Sequence, residues 1–300
     1  MNPGRFRHRI ERSPGARFAP EAGRYHLYVM YGCPWAHRTI IVRELKGLQG
    51  IVGMTAMHHR LIESEGWTFA PERPDPLYGA RRLRELYEMA DPAYDAKATV
   101  PMLWDKKERT IVNNESADIV RMFGSVFDDD TRPHGPDLYP APLRPEIDRW
   151  NTLIQDAVNE GAYAAAFAVD QASYEQAARR FFQALDTIEQ HLSRQRFLAG
   201  SQPTEADWRL FPTLLRLEWV YSGLFKLNLR RLVDYPHLYA YTRELYQWPG
   251  VAATVNERHI RDGYWPSLTR LNPTGFVPIG PELDLLAPPR RESLAVPLAA

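Results

Sequence analysis

An α/β domain followed by an all-helical one is the fold class this sequence predicts, and three observations predict it. Between residues 25 and 123, strand-like and helix-like runs follow the order strand, helix, strand, helix, strand, strand, helix. That order is the pattern of a small mixed sheet covered by helices. Residues 124–145 then carry Asp128 to Asp130 and five prolines from Pro133 to Pro145, which makes them the linker. Beyond them more than a hundred residues read as helix, and 300 residues suit about two domains.

Each element has a local reason. "RYHLYVMY" alternates and is rich in β-formers, so it predicts a strand. "WAHRTIIVRELKGL" sets Ile40, Ile41, Leu45 and Leu48 near helical spacing. "GIVGMTAM" is a second short strand, and residues 60–80, with Gly66, Trp67 and several prolines, read as a long loop. "RRLRELYEMADPAY" predicts a helix ended by Asp91-Pro92. "TVPMLWD" and "RTIVNN" predict a strand pair around the charged turn "KKE", and "ESADIVRMF" the closing helix. In the second half Phe181, Leu185, Ile188 and Leu192 fall on one helical face, as do Leu210, Leu214, Leu217 and Tyr221. Thr204 and Asp207 resemble a capping box, in which the hydroxyl caps the Asp207 amide and the carboxylate reaches back. Pro212 is expected to kink that helix. The predicted boundaries are an arm at 1–24, an α/β domain at 25–123, the linker at 124–145, a helical domain at 146–262 and a Pro-rich C-terminal extension at 263–300 that wraps the surface.

Composition excludes several function classes. Lys plus Arg and Asp plus Glu are both 37, so there is no global charge footprint for nucleic acid or an acidic membrane. No apolar run approaches the roughly 20 residues that cross a bilayer. The basic start lacks the apolar segment of a secretory signal, and one cysteine forms no internal disulfide, so the expected compartment is cytoplasmic. The nine histidines form no cluster with ligand spacing, and no metal is expected. Arg81-Arg82, Arg179-Arg180 and Arg230-Arg231 lack interleaved aromatics and read as solvated faces.

The single cysteine lies in "YGCPWAHRT", where a strand hands over to a helix. There Pro34 takes the first helical position, where a missing amide costs least. The unpaired amides and the dipole of that helix then face the sulfur and favour its thiolate. A cysteine of pKa ~8.5 moves to about 7 or lower in such a setting. The other reading is an inert buried thiol acting as a small hydrophobe. Three residues on stands Ala36, where a dithiol redox motif needs a second cysteine, so only one-thiol exchange with an external thiol is open to Cys33. His37 and Arg38 read as helix-surface or interface residues, with an electrostatic assist to the thiolate as the second reading.

"CPWAHRT", "GWTF", "TVPMLWDKKERTIVNNESADIVRMF", "NEGAYAAAFA", "FLAGSQPTEADWRLFPTLLRLEWVY", "YPHLYAYTRELYQWPGVAATVNERHI" and "NPTGFVPIGP" together resemble the glutathionyl-hydroquinone reductases, the xi class of glutathione transferases. The resemblance runs in order from about residue 25 to residue 281. It implies the glutathione transferase fold: a thioredoxin-like N-terminal domain, an all-helical C-terminal domain and a homodimer. It also implies removal of glutathione from glutathionylated hydroquinones, with glutathione as co-substrate and oxidised glutathione as product.

The resemblance assigns residues one at a time. Cys33 matches the nucleophile. Val100-Pro101 matches the segment before a cis-proline whose backbone pairs with the cysteinyl part of glutathione, as an added strand would. Glu115-Ser116 matches the γ-glutamyl site; a hydroxyl and amides at a helix start suit a carboxylate, although "NNES" alone reads equally as an N-cap. Trp67 matches a tryptophan lining the tripeptide site, and Lys97 lies in the adjoining segment, where a solvated lysine is the plainer reading. Tyr163 and Tyr264 match two tyrosines that face the sulfur and handle a proton on the quinol. Two departures bear on the acceptor pocket: Gly263 stands where a histidine is frequent, and the bulky Tyr31 stands two residues before the thiol. Two other readings are a general omega- or glutaredoxin-like deglutathionylase and a non-enzymatic binding module on a transferase fold.

Overall fold

Six strands and ten α-helices make up the regular elements of the computed structural model, which describes residues 6–128 and 135–294. Parts of the expected arm, linker and extension (residues 1–5, 129–134 and 295–300) lie outside the described residues. The chain divides into two compact units, Met1–Pro136 with Thr254–Ser267, and Asp137–Ala253 with Leu268–Ala300. The first break falls inside the expected linker. Chain order gave no sign that Thr254–Ser267 belongs with the first unit.

In the first unit β1 (Tyr25–Val29), α1 (Pro34–Leu45) and β2 (Gly53–Ala56) form a parallel strand–helix–strand unit. A hairpin of two-residue strands, β3 (Leu61–Ile62) and β4 (Gly66–Trp67), interrupts the expected loop. Strands so short leave no periodic signature in sequence. Next come α2 (Leu83–Ala90), the antiparallel pair β5 (Met102–Asp105) and β6 (Thr110–Asn113), and α3 (Ser116–Ser125). The sheet order is β2-β1-β5-β6, and β1 is interior, paired with β2 on one side and β5 on the other. All five residues of β1 are buried, although its sequence alternates. His26 survives there because its Nε2 meets the Thr55 hydroxyl at 2.8 Å. The Arg24 Nε donates to both Asp105 carboxylate oxygens, at 2.9 and 3.0 Å, in a buried pair at the strand edge. The arm is not a detached tail: Phe6, Ile10 and Phe18 are buried, and the His8 amide donates to the Val112 carbonyl.

The second unit is helical: α4 (Arg144–Leu153), α5 (Glu160–Ala166), α6 (Gln171–Leu192), α7 (Glu205–Arg216), α8 (Ser222–Leu224) and α9 (Pro236–Tyr246). The tenth helix, α10 (Glu257–Tyr264), is the one that falls in the first unit. Phe181, Leu185, Ile188 and Leu192 are all fully buried on α6, as their spacing requires. α7 differs from expectation, because every one of its twelve residues is buried rather than one stripe. Its polar groups tolerate this through bonds: Glu205 accepts from Asn151 and pairs with Arg209, and Arg216 donates to the Pro212 carbonyl. The helix continues through Pro212 to Arg216, then widens into a π-helical turn at Leu217–Tyr221.

The capping box at α7 has a wider role than its motif suggests. One Asp207 oxygen accepts from the Thr204 amide (2.7 Å) and hydroxyl (2.9 Å). The other accepts from the Leu198 amide (3.0 Å) and from the Tyr241 hydroxyl on α9 (2.7 Å). Burial raises the Asp207 pKa even so. The C-terminal segment is held by Arg291, whose guanidinium is buried and donates to the carbonyls of Leu192, Gln195, Arg196 and His237.

Asp207→Ala strands two buried amides and the Tyr241 hydroxyl together. It is expected to destabilise the chain by about 3 kcal/mol or more, read as a lowered urea midpoint.

Candidate functional site

The candidate site is built where β1 ends. Cys33 is the N-cap of α1 with extended backbone angles (φ −73°, ψ 122°), and Pro34 opens the helix. The Met30 carbonyl accepts the Cys33 amide at 3.0 Å, and the Cys33 carbonyl accepts the His37 amide at 3.0 Å, which closes the first turn. No acidic residue lies in that turn, so nothing there opposes a thiolate at the positive end of the helix. The thiol is half-buried rather than walled in, and its Sγ lies 3.6 Å from the Val100 carbonyl oxygen. The Val100–Pro101 bond is cis, the isomer expected for it. One strand-end loop thus presents a backbone carbonyl to the sulfur of another.

Glu115 and Ser116 open α3. Glu115 is its N-cap: Oε1 accepts from the Ala117 amide at 3.2 Å and from the Ser116 hydroxyl at 3.3 Å. Asn113 supports the turn by accepting the Glu115 amide at 2.7 Å. The Ser116 hydroxyl also accepts from Arg38 Nη1 at 3.4 Å, which ties α3 to the helix that Cys33 caps. Arg38 and His37, expected at a helix surface or an interface, are both buried, so the helix-surface alternative does not hold. The reason is that α1 and α3 pack together and Thr254 covers His37, whose Nε2 meets the Thr254 hydroxyl at 3.0 Å. Neither role shows in their position about one turn after Cys33.

Trp67 is half-buried on β4, and Lys97 is exposed, with its carbonyl taken by the Tyr94 hydroxyl. Tyr264 ends α10, is 8% exposed, and belongs to the same unit as Cys33. Tyr163 belongs to the other unit, on α5, directly after a π-helical turn at Ile154–Asn159. Its ring meets Phe225 edge-on at 5.4 Å and Tyr221 at 6.0 Å, and Tyr221 stacks on Phe225 at 4.7 Å. Among the described residues no three His, Cys, Asp or Glu side chains gather to hold a metal, and no helix is long and apolar enough to cross a membrane.

The N-terminal domain model of the glutathione S-transferases matches residues 32–126, and the C-terminal domain model matches 171–244. The chain is 46% identical over 273 residues to the glutathionyl-hydroquinone reductase PcpF of Sphingobium chlorophenolicum, covering 90% of this chain and 87% of that one. It is 47% identical over 279 residues to the glutathionyl-hydroquinone reductase YqjG of Escherichia coli, covering 92% and 84%. The chain belongs to the xi class of the glutathione transferases. The fold of this xi-class transferase superposes on the glutathione-bound structure of the Escherichia coli protein with a TM-score of 0.91, at 44% identity, covering 95% of this chain and 96% of that one. On the xi-class transferase from Natrialba magadii the TM-score is 0.94, at 42% identity, covering 98% and 92%.

Sequence reasoning missed the histidines beside the Cys33 turn of this transferase. His58 and His59 stack at 4.2 Å, His259 on α10 lies 5.4 Å from His59, and Tyr31 meets His259 edge-on at 5.5 Å. The rings come from three separate stretches of chain, so no spacing could reveal them. Burial, and then the positive groups His59, Arg73, His58 and Arg258, lower the His259 pKa to about 4. Its Nδ1 is buried with no hydrogen-bond partner. Burial likewise lowers His26 to about 4.

Both rings are neutral when folded and take up a proton near pH 6.5 when unfolded. Their contribution to stability is therefore complete above about 6.5 and is lost as pH falls toward 4. The melting temperature is expected to drop across that window, and His259→Gln to flatten part of the drop.

Proposed function

We propose that this chain is a glutathionyl-hydroquinone reductase working through Cys33. The single observation that carries the reading is a half-buried thiol at a helix N-terminus, 3.6 Å from the Val100 carbonyl, in a chain with no second cysteine. The Cys33 thiolate attacks the sulfur of a glutathionyl-hydroquinone. The carbon–sulfur bond breaks, its electron pair stays on the ring carbon, and that carbon takes a proton to give the free hydroquinone. Cys33 is left in a disulfide with glutathione. A second glutathione thiolate attacks that disulfide, releases oxidised glutathione and restores Cys33.

Other residues take roles around these steps. Val100 and Pro101 offer backbone to the cysteinyl part of the tripeptide. Ser116 and the first amides of α3 take the γ-glutamyl carboxylate, with Glu115 facing its ammonium. Trp67 packs against the tripeptide and Lys97 reaches its outer carboxylate. Tyr264 and Tyr163 deliver the proton and hold the ring oxygens as charge develops. The enzyme works as a homodimer in the cytoplasm, where glutathione is abundant and thiols stay reduced. A general deglutathionylase would share the thiol chemistry; the two tyrosines favour the quinol.

Four outcomes test this. Cys33→Ala abolishes release of glutathione from glutathionyl-menadiol, whereas retained turnover would exclude the mechanism. Intact mass spectrometry of the wild type after mixing with that substrate shows one glutathione on Cys33. Alkylation of Cys33 by iodoacetamide follows a pKa of about 7 or lower, against ~8.5 for an ordinary thiol. Tyr264→Phe slows formation of the mixed disulfide and hydroquinone release together, about a hundredfold, and leaves the second step, attack of glutathione on the disulfide, unchanged.

A further inference from the structure

We propose that Met30 is a positioning residue for this chemistry, the wedge that sets the Cys33 turn against α10 and so places Tyr264. The inference rests on the reductase reading above. Met30 follows β1 and is only 2% exposed. Its sulfur accepts the Gly32 amide at 2.7 Å, inside the turn that ends at Cys33. Its methyl group lies where two glycines from distant parts of the chain converge. A Cβ on Gly32 would stand 2.5 Å from that methyl and 2.7 Å from the His259 carbonyl oxygen. A Cβ on Gly263 would stand 2.4 Å from the same methyl and 2.9 Å from the His59 carbonyl oxygen.

Neither glycine adopts a positive φ, so both are needed for room rather than for backbone freedom. Glycine inside a helix costs about 1 kcal/mol relative to alanine, and at Gly263 the close approach of α10 to Met30 is what offsets it. Gly32 immediately precedes Cys33, and Gly263 immediately precedes Tyr264. One thioether therefore sets the backbone on both sides of the proposed reaction. It also accounts for the departure at position 263: the methyl of Met30 and the His59 carbonyl fill the room into which a histidine side chain would leave the helix. Methionine suits such a joint, because its unbranched chain threads a narrow gap and its sulfur accepts a weak bond.

A double-mutant cycle tests the joint. Wild type, Gly263→Ala, Met30→Ala and the double variant are assayed with glutathione and glutathionyl-menadiol, with melting temperature measured in parallel. Gly263→Ala is expected to lower kcat about tenfold, with KM for glutathione changed less than about twofold, because the added methyl pushes α10 off the Cys33 turn. Met30→Ala in the same chain removes the nearer of the two contacts, leaving only the His59 carbonyl at 2.9 Å, and recovers at least about threefold of the lost kcat. Additive effects, or wild-type kcat in Gly263→Ala, overturn the proposal. Should Gly263→Ala not fold, recovery of fold and turnover in the double variant supports it, and failure of the double variant overturns it. Should the wild type not act on glutathionyl-menadiol, the reductase reading fails instead. The same cycle is then read from the rate of Cys33 alkylation by iodoacetamide, where non-additivity supports the joint and additivity overturns it.

Discussion

The close approach of the Cys33 thiol to the Val100 carbonyl depends on the end of β1, and the rest of the first unit holds that end in place. β1 is paired on both sides and buried along its whole length, so its last residue has little freedom. The chain then turns within four residues into α1, with Pro34 fixing the first helical angle. β5, which pairs antiparallel with β1 up to Tyr28–Met102, carries Val100 and Pro101 to the same end of the sheet. Strand pairing thus brings together two backbone segments that sequence separates. A sulfur so placed has a carbonyl on one side and a helix N-terminus beneath it.

Around that junction the protein uses buried polar side chains as ties between elements. Arg38 joins α1 to the start of α3, and His37 joins α1 to Thr254, where the chain returns to the first unit. Met30 meets Gly32 and Gly263 through a single methyl. The helical unit follows the same logic at Asp207, which links the α7 cap to Leu198 and to Tyr241 on α9. Most buried polar groups are bonded, and here each of these bonds also joins two stretches of chain. Such ties cost little when complete and much when broken, which locates the sensitive positions of the fold.

The histidines beside Tyr31 add an electrostatic constraint. His259 is pushed toward neutrality by burial and by positive neighbours, and its Nδ1 finds no acceptor. A neutral imidazole packs there as an aromatic slab against His59 and Tyr31. Protonation would place a charge between like charges in a poorly solvated space. The docking of α10 is thereby linked to pH through a residue outside the proposed chemistry.

By itself the sequence determined the strand–helix order, the position of Cys33 at the handover, the impossibility of a dithiol cycle and the buried face of α6. Each of these follows from local periodicity, from proline and glycine chemistry, or from a residue count, and resemblance to the xi class added the expected cis bond at Pro101. Tertiary structure alone decided the rest. The short β3–β4 hairpin is stabilised by its surroundings rather than by propensity. All-round burial of α7 depends on the helices packed about it and on partners such as Asn151, far away in sequence. The membership of Thr254–Ser267 in the first unit, and the meeting of Met30 with Gly263, come from long-range packing. A glycine needed for room looks, in sequence, the same as one needed for a turn. Only the atoms that would strike its missing side chain tell the two apart.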